Sequence, residues 1–159
     1  MDFKIRKIKE TEYTLLKNFL YEAIFVPDGI DPPPKSIVDA PELLVYILGF
    51  GSEPHDIALI AEVANKAVGA VWVRIMNDYG HIDDETPSFA ISLYKEYRGL
   101  GIGTEMMKAM LALLKDCGYR QASLAVQKAN YAVKMYRKVG FEIVDENNEE
   151  YIMVNHLAR

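Results

Sequence analysis

The chain has 159 residues, half of them hydrophobic, with 23 acidic against 18 basic residues and a formal charge of −5. That length suffices for a single domain over residues 1–159; the acidic balance excludes the basic footprint of a nucleic-acid binder and suits a cationic partner. The solitary cysteine, Cys117, excludes an internal disulfide and a cysteine-built zinc centre; no metal site is indicated, and a reducing compartment, the cytosol, is expected.

The opening MDFKIRKIKE alternates charged and apolar residues, and no later apolar run approaches the roughly 18 residues of a membrane span, so a soluble, unprocessed chain is expected. Phe3 to Ile8 alternates as a strand with one wet face. From Thr11 to Ile24 the positions Leu15, Leu16, Phe19, Leu20, Ala23 and Ile24 fall at helical spacing. Pro27, Gly29 and Pro32 to Pro34 then forbid regular structure and read as a surface loop over a pocket. A second short helix is expected from Asp39 as N-cap, with Pro41 in its first turn and Gly49 at its stop.

Ile57 to Val63 and Val68 to Met76 flank a turn at Ala64 to Lys66 and predict a hairpin; after the polar stretch Asn77 to Thr86, Ser88 to Leu93 is a further strand. Ile102, Met106, Met107, Met110, Leu111, Leu113, Leu114 and Cys117 form one buried helical stripe ending at Gly118. On that stripe the methionines are core and Cys117 is a buried packing residue. A strand at Ala122 to Val126, a helix from Tyr131 to about Lys138 with Asn130 as cap, and strands near Phe141 to Val144 and Glu150 to Val154 complete an α/β (α+β) chain of order βααβββαβαββ.

The passage Arg98-Gly99-Leu100-Gly101-Ile102-Gly103-Thr104, between a strand and a helix, carries the most chemistry. Glycines let successive N–H groups turn toward an anion where a helix start adds positive potential, so a phosphate belongs there. A P-loop needs Lys then Ser or Thr after its last glycine, but Gly103 is followed by Thr104 and Glu105. A dinucleotide fingerprint needs an acid closing the next strand, which here ends in Val126, Gln127 and Lys128.

What remains, Arg-x-x-Gly-x-Gly with Gly101 and Gly103 in register, resembles the pyrophosphate motif of the GCN5-related N-acetyltransferase (GNAT) superfamily. The run Asn130-Tyr-Ala-Val-Lys-Met-Tyr136-Arg-Lys-Val-Gly140-Phe141 is similar to the same family's later motif. The resemblance implies a mixed, mostly antiparallel central sheet flanked by helices, acetyl-CoA as cosubstrate, and acetyl transfer to a primary amine by direct attack through a tetrahedral intermediate. By the same resemblance Arg98 and the amides of Gly99, Leu100, Gly101, Gly103 and Thr104 hold the pyrophosphate. Backbone groups of Ile91 and Leu93 pair with the pantetheine arm, as a cofactor adding itself to a strand edge. The Ile91 N–H is the expected oxyanion donor, Asn130 contacts the cofactor arm unless it caps its helix, and Tyr136 protonates the leaving thiolate unless it is simply core. Lys128, Lys134 and Arg137 are candidates for the ribose phosphate or for a solvated helix face.

One departure bears on mechanism. Several members carry a catalytic glutamate six residues before the Leu93 position, where this chain has Pro87. Glu85 is taken as the base, with Asp84, His81 and Tyr79 as alternatives, or the amine enters already neutral because its pocket desolvates it. Phe25, Trp72, Arg74 and His81 are candidates for the acceptor site. A small amine is the expected acceptor, with a peptide N-terminus or lysine as alternatives. The missing glutamate also motivates a second function class, a non-catalytic acyl-CoA-binding regulatory domain. The sequence leaves open acyl-chain preference and whether the chain pairs as a homodimer.

Overall fold

A computed structural model describes residues 2–157. The chain opens with β1 (Lys4–Lys7), a 3-10 turn at Glu10–Glu12 and α1 (Leu15–Glu22), then a second 3-10 turn at Lys35–Asp39 and the single-turn α2 (Pro41–Leu44). β2 (Ile57–Val63), β3 (Lys66–Arg74) and β4 (Ser88–Leu93) follow, then α3 (Ile102–Asp116), β5 (Gln121–Gln127), α4 (Ala132–Lys138), β6 (Glu142–Glu146) and β7 (Glu150–His156). The expected order βααβββαβαββ folds as one sheet, β1-β2-β3-β4-β5-β7-β6, antiparallel throughout except where β4 meets β5.

Side chains alternate across a strand, so β3 and β4 feed two cores. Val71, Val73, Phe89 and Leu93 pack with Ile102, Met106, Met107, Met110 and Leu114 of α3 and with Tyr136 and Phe141. Ala70 and Trp72 point the other way, into Leu16, Phe19 and Leu20 of α1 and Val38. The end of α1 is fastened to β4 and the turn after it. Ser92 Oγ donates to the Phe19 carbonyl at 2.6 Å, which also accepts the Ala23 amide, and Arg98 Nη2 donates to the Glu22 carbonyl at 3.1 Å, one that the helix end leaves without a backbone donor.

Boundaries shift where side chains outcompete helical spacing. The first helix, expected from Thr11, begins at Leu15 because Glu12 folds back: its carboxylate accepts the Lys9 amide at 2.9 Å and is gripped by both terminal nitrogens of Arg6 at 2.8 Å, which closes a separate tight turn. That grip pulls the Glu12 carboxyl down to about 2. The hairpin turn is two residues, Ala64 and Asn65, both left-handed at φ 50° and 67°, so β3 starts at Lys66 rather than Val68. Asp39 ends a 3-10 turn rather than capping the second helix, and Ala40 takes that place.

The short α2 segment is held by β3. Trp72 Nε1 donates to the Tyr46 carbonyl at 3.0 Å, and Arg74 Nη1 donates to the carbonyls of Val45 (3.1 Å) and Leu48 (2.8 Å). Arg74 Nε and Nη2 meanwhile grip the Asp56 carboxylate at 3.1 and 3.0 Å, with both side chains buried. This corrects the reading of Trp72 and Arg74 as acceptor contacts: Trp72 has no exposed surface, and Arg74 is spent on a buried ion pair and two carbonyls. Their consequence is indirect, because the carbonyls they hold are those around Tyr46. A second correction concerns Cys117, which sits one residue past the end of α3, where the stripe turns off the core, and is exposed.

Two outcomes follow. Asp56→Ala strands a buried guanidinium and should cost about 3–5 kcal/mol in urea unfolding, the penalty for breaking one side of a buried pair. The Cys117 thiol should react with a chromogenic disulfide reagent in the folded protein as completely as in urea.

Candidate active site

The site begins with a sheet that comes apart. β4 and β5 run parallel but pair only at Ser88 and Ser123, where Ser123 N–H donates to the Pro87 carbonyl at 2.9 Å. Beyond that pair the strands separate. β5 stays fully paired with β7 from Gln121 to Gln127, and β4 with β3 from Ser88 to Leu93, so the opening lies between them alone.

Which backbone groups face the opening follows from alternation. In an antiparallel pair every second residue turns its N–H and C=O toward the partner and the others turn theirs away. Tyr94 N–H donates to the Val68 carbonyl at 2.9 Å, so Ser92 and Ala90 bond to β3 while Ile91 and Leu93 face β5. With β5 gone by that level, the Ile91 amide and carbonyl have no strand opposite. The Leu93 carbonyl is taken by Arg98 Nε at 2.9 Å, which leaves its N–H.

The phosphate-loop residues lie directly after. Gly99 and Gly101 adopt φ of 76° and 86°, a left-handed conformation that a side chain resists, and a Cβ at either would meet open space. Backbone conformation, not crowding, therefore calls for glycine. Among the described residues no amide after Arg98 finds a backbone acceptor until Glu105 N–H, which donates to the Gly101 carbonyl at 3.2 Å. The amides of Gly99, Leu100, Gly101, Ile102, Gly103 and Thr104 are thus left without backbone partners at the positive end of a 15-residue helix. Arg98 itself is less free than its charge suggests: Nε goes to Leu93, and Nη2 to the carbonyl and carboxylate of Glu22, at 3.1 and 3.2 Å.

Thr104 continues into a groove between α3 and α4 with Tyr131, Lys134, Met135 and Lys138. Of the basic residues flagged near it, Lys128 is paired with Glu146 and lies over the Tyr151 ring, while Lys134 lines the groove. Asn130 acts as the helix-capping residue, its Oδ1 accepting the Ala132 amide at 2.9 Å. Tyr136 is 8% exposed and shares the α3-side core with Ile91, and burial pushes its hydroxyl up to about 12.

The loop between β3 and β4 brings the candidate bases together unevenly. Glu85 is exposed and lies in a turn built by Asp83, whose Oδ1 accepts the Glu85 amide and the Thr86 hydroxyl at 2.9 and 2.8 Å. Thr86 is in turn bonded by Gln121 at the start of β5, so this turn sits at the closed end of the strand pair, away from Ile91. His81 Nδ1 is buried without a hydrogen-bond partner among the described residues, and its Nε2 lies 3.8 Å from exposed Asp84.

Two residues that the sequence did not single out gather at the last closed pair of the split, Asp78 and Tyr46. Asp78 Oδ2 accepts the Tyr46 hydroxyl at 2.9 Å and Oδ1 accepts the Ser88 hydroxyl at 3.3 Å. Ser88 and Ser123 hydroxyls lie 3.2 Å apart, and Ser123 donates to the Gly80 carbonyl at 2.7 Å. A Cβ at Gly80 would come within 3.2 Å of the Ala125 nitrogen and 3.3 Å of Asp78 Oδ2, so the bare loop backbone packs against β5 two residues past its last pair with β4. Burial lifts the Asp78 carboxyl above the usual carboxylate range, against the hydrogen bonds from Tyr46 and Ser88. Burial likewise raises the Tyr46 hydroxyl, with the neighbouring Asp78 charge adding to it. The signal in the sequence was the polar stretch after β3, but Tyr46 lies 32 residues from Asp78 with no motif to link them. Phe25 and Pro27 border a second groove with Gln127, Lys128, Ala129, Asn148 and Glu149, at the open end of β5.

Comparison with known proteins bears on this arrangement. The family model for the acetyltransferase (GNAT) family matches residues 21–141. N-alpha-acetyltransferase 50 of Danio rerio is 33% identical over 101 residues, covering 62% of this chain and 59% of the relative. The [ribosomal protein bS18]-alanine N-acetyltransferase of Haemophilus influenzae is 32% identical over 68 residues, covering 43% and 47%. The chain thus spans about half the length of the curated relatives it matches. Among solved structures, the PaiA N-acetyltransferase of Thermoplasma acidophilum, in complex with coenzyme A, superposes with a TM-score of 0.72 at 20% identity over 98% of this chain and 99% of that one. With the split sheet, the glycine turn and the family match in agreement, the chain belongs to the acetyltransferase (GNAT) family.

Proposed function

We propose that this protein transfers the acetyl group of acetyl-CoA to a primary amine. The observation that carries the reading is the pair of unpartnered backbone surfaces on one line, the β5-facing edge of β4 at Ile91 and the free amides from Gly99 to Thr104. A pantetheine arm offers amide groups for a strand edge, and a diphosphate offers oxygens for a nest of N–H donors, so the residues fit the cosubstrate. Acetyl-CoA supplies an acyl group activated as a thioester.

The chain's own groups then divide the work. The Ile91 amide donates to the carbonyl oxygen as it becomes an oxyanion. The Tyr136 hydroxyl gives its proton to the departing sulfur. Burial keeps that hydroxyl protonated through the neutral range and makes it a weaker acid, while the same desolvation makes a thiolate formed beside it more basic, which offsets part of that loss. The Gly99 to Thr104 amides anchor the diphosphate, with Arg98 positioning the turn against α1 through Glu22. Thr104 and Lys134, with Asn130 capping the helix nearby, line the groove open to the rest of the nucleotide.

For the acceptor, Phe25 and Pro27 border a groove that opens at the end of β5, consistent with a small amine. A second reading, the α-amine of a peptide, draws support from relatives named for N-alpha or ribosomal-protein alanine acetylation. Thiol release from acetyl-CoA, measured against polyamines, amino acids, aminoglycosides and short peptides, separates these. Binding without any release favours a regulatory domain instead.

Tyr136→Phe should lower kcat by about 10²–10⁴-fold, the usual range for losing a positioned acid, with little change in coenzyme A affinity. A variant as fast as wild type refutes that assignment. Gly101→Asp places a side chain on a left-handed residue at an anion site and should weaken coenzyme A binding by at least about tenfold in calorimetry, from backbone strain of roughly 1–2 kcal/mol plus charge repulsion.

A further inference from the structure

Direct attack by an amine on a thioester leaves the nitrogen with one proton too many, and something on the amine's side of the split must take it. The two faces of the split are chemically different. Tyr136 belongs to the core on the α3 side, while Ser88, Ala90 and Ser92 turn toward α1. The carboxylate that Ser88 holds is that of Asp78, on the face opposite Tyr136.

Building on the acetyl-transfer reading, we propose that Asp78, held by Tyr46 and Ser88 at the fork of β4 and β5, is the general base for the acceptor amine. Three geometric facts converge on it. Its two carboxylate oxygens are separately anchored, one by the Tyr46 hydroxyl and one by the Ser88 hydroxyl, which fixes its direction. Its Oδ2 and the Ala125 amide nitrogen lie 3.3 and 3.2 Å from where a Gly80 Cβ would sit, and its Oδ1 meets Ser88, so the carboxylate stands at the last closed pair, where the opening begins. It also lies on the α1 face of β4, the side opposite Tyr136, so base and acid would stand on different sides of the split. Glu85, by contrast, is exposed in the turn before β4, on the far side of that pair from Ile91.

The proton balance is complete. The amine enters neutral, its lone pair forms the C–N bond, and the nitrogen, now positively charged and strongly acidic, passes one proton to Asp78. The C–S bond breaks and sulfur takes one proton from Tyr136. Asp78 and Tyr136 then return to their starting forms by exchange with solvent, one releasing and one regaining a proton.

Tyr46 becomes a positioning residue in this scheme, and behind it stand Trp72 and Arg74, which hold the carbonyls of residues 45, 46 and 48. The charged and titratable groups facing Asp78 are Tyr46 from the α2 segment and Glu150 from β7, with Ser88 as the polar contact from β4 and His81 on its own loop. Burial raises the Asp78 carboxyl, and the Tyr46 hydrogen bond opposes that rise by favouring the charged form. A base must be deprotonated to work, so activity falls as pH drops through the carboxyl value, and removing the Tyr46 hydroxyl moves that fall to higher pH.

The test is kcat for thiol release at saturating acetyl-CoA from about pH 4, near the ordinary carboxylate value, to about pH 9, with coenzyme A affinity by calorimetry as the fold control. Asp78→Asn should lower kcat by about 10²–10³-fold, in the range for a general base, with coenzyme A affinity unchanged. Tyr46→Phe should keep measurable turnover and shift the acid limb upward, which a purely structural hydrogen bond would not do. Turnover of Asp78→Asn equal to wild type overturns the proposal. Should Asp78→Asn fail to bind coenzyme A, the Tyr46→Phe limb decides, and a limb that stays in place overturns it. Absence of thiol release by the wild type with every amine removes the acetyl-transfer reading, and this base with it, while the results above remove the base alone.

Discussion

Everything in the site depends on two parallel strands that pair once and then part. A buried backbone N–H or C=O without a partner is costly, on the order of 1–3 kcal/mol each, so a sheet interrupted at its centre is a stored demand for hydrogen bonds. The protein meets that demand at the closed end with its own groups, the Ser88 and Ser123 hydroxyls and the Gly80 carbonyl. At the open end it leaves the demand standing at the Ile91 amide and carbonyl and at the Leu93 amide, Arg98 having taken the Leu93 carbonyl. A ligand lying in the opening would gain what the sheet forgoes, which is the physical argument for placing the proposed cosubstrate here and not on either intact face.

The electrostatics are consistent with that division. The chain carries a net charge of −5, and Arg98 at the glycine turn is partly neutralised by Glu22, so in the proposed site affinity for a diphosphate would rest on amide dipoles and the start of α3 more than on net positive charge. On the other face Asp78 and Glu150 add negative potential, which suits an acceptor that spends most of its time as an ammonium ion. The two sides of the split therefore favour opposite charges, and α1, tied to β4 through Ser92 and to the glycine turn through Arg98, is the mechanical link between them.

What the sequence disclosed and what it hid divide by range. The element order, the Met106, Met107 and Met110 stripe and the glycine turn were legible because helical spacing and left-handed backbone are local properties. The split was implied only by resemblance, since nothing in Ser88 to Leu93 or Gln121 to Gln127 states that they diverge after one pair. Of the two readings the sequence allowed for each, Trp72 proves to be core and Arg74 to answer an acidic neighbour, Asp56; the sequence did not decide between them because the covering segment around Tyr46 is too short to announce itself as a helix. Glu85 was favoured for its nearness in sequence to the expected glutamate position at Pro87, whereas the turn built by Asp83 carries it outward. The carboxylate that reaches the fork comes from Asp78, whose partner hydroxyl belongs to another element altogether.

Amide-resolved NMR with and without acetyl-CoA addresses the split most directly. Saturation should slow hydrogen exchange at Ile91 and at Gly101, Gly103 and Thr104, and should leave the β5–β7 amides, already paired in the free protein, as they were. Binding that protects neither Ile91 nor the glycine turn would mean the opening between β4 and β5 is not where the thioester lies, and the account would fail at its base.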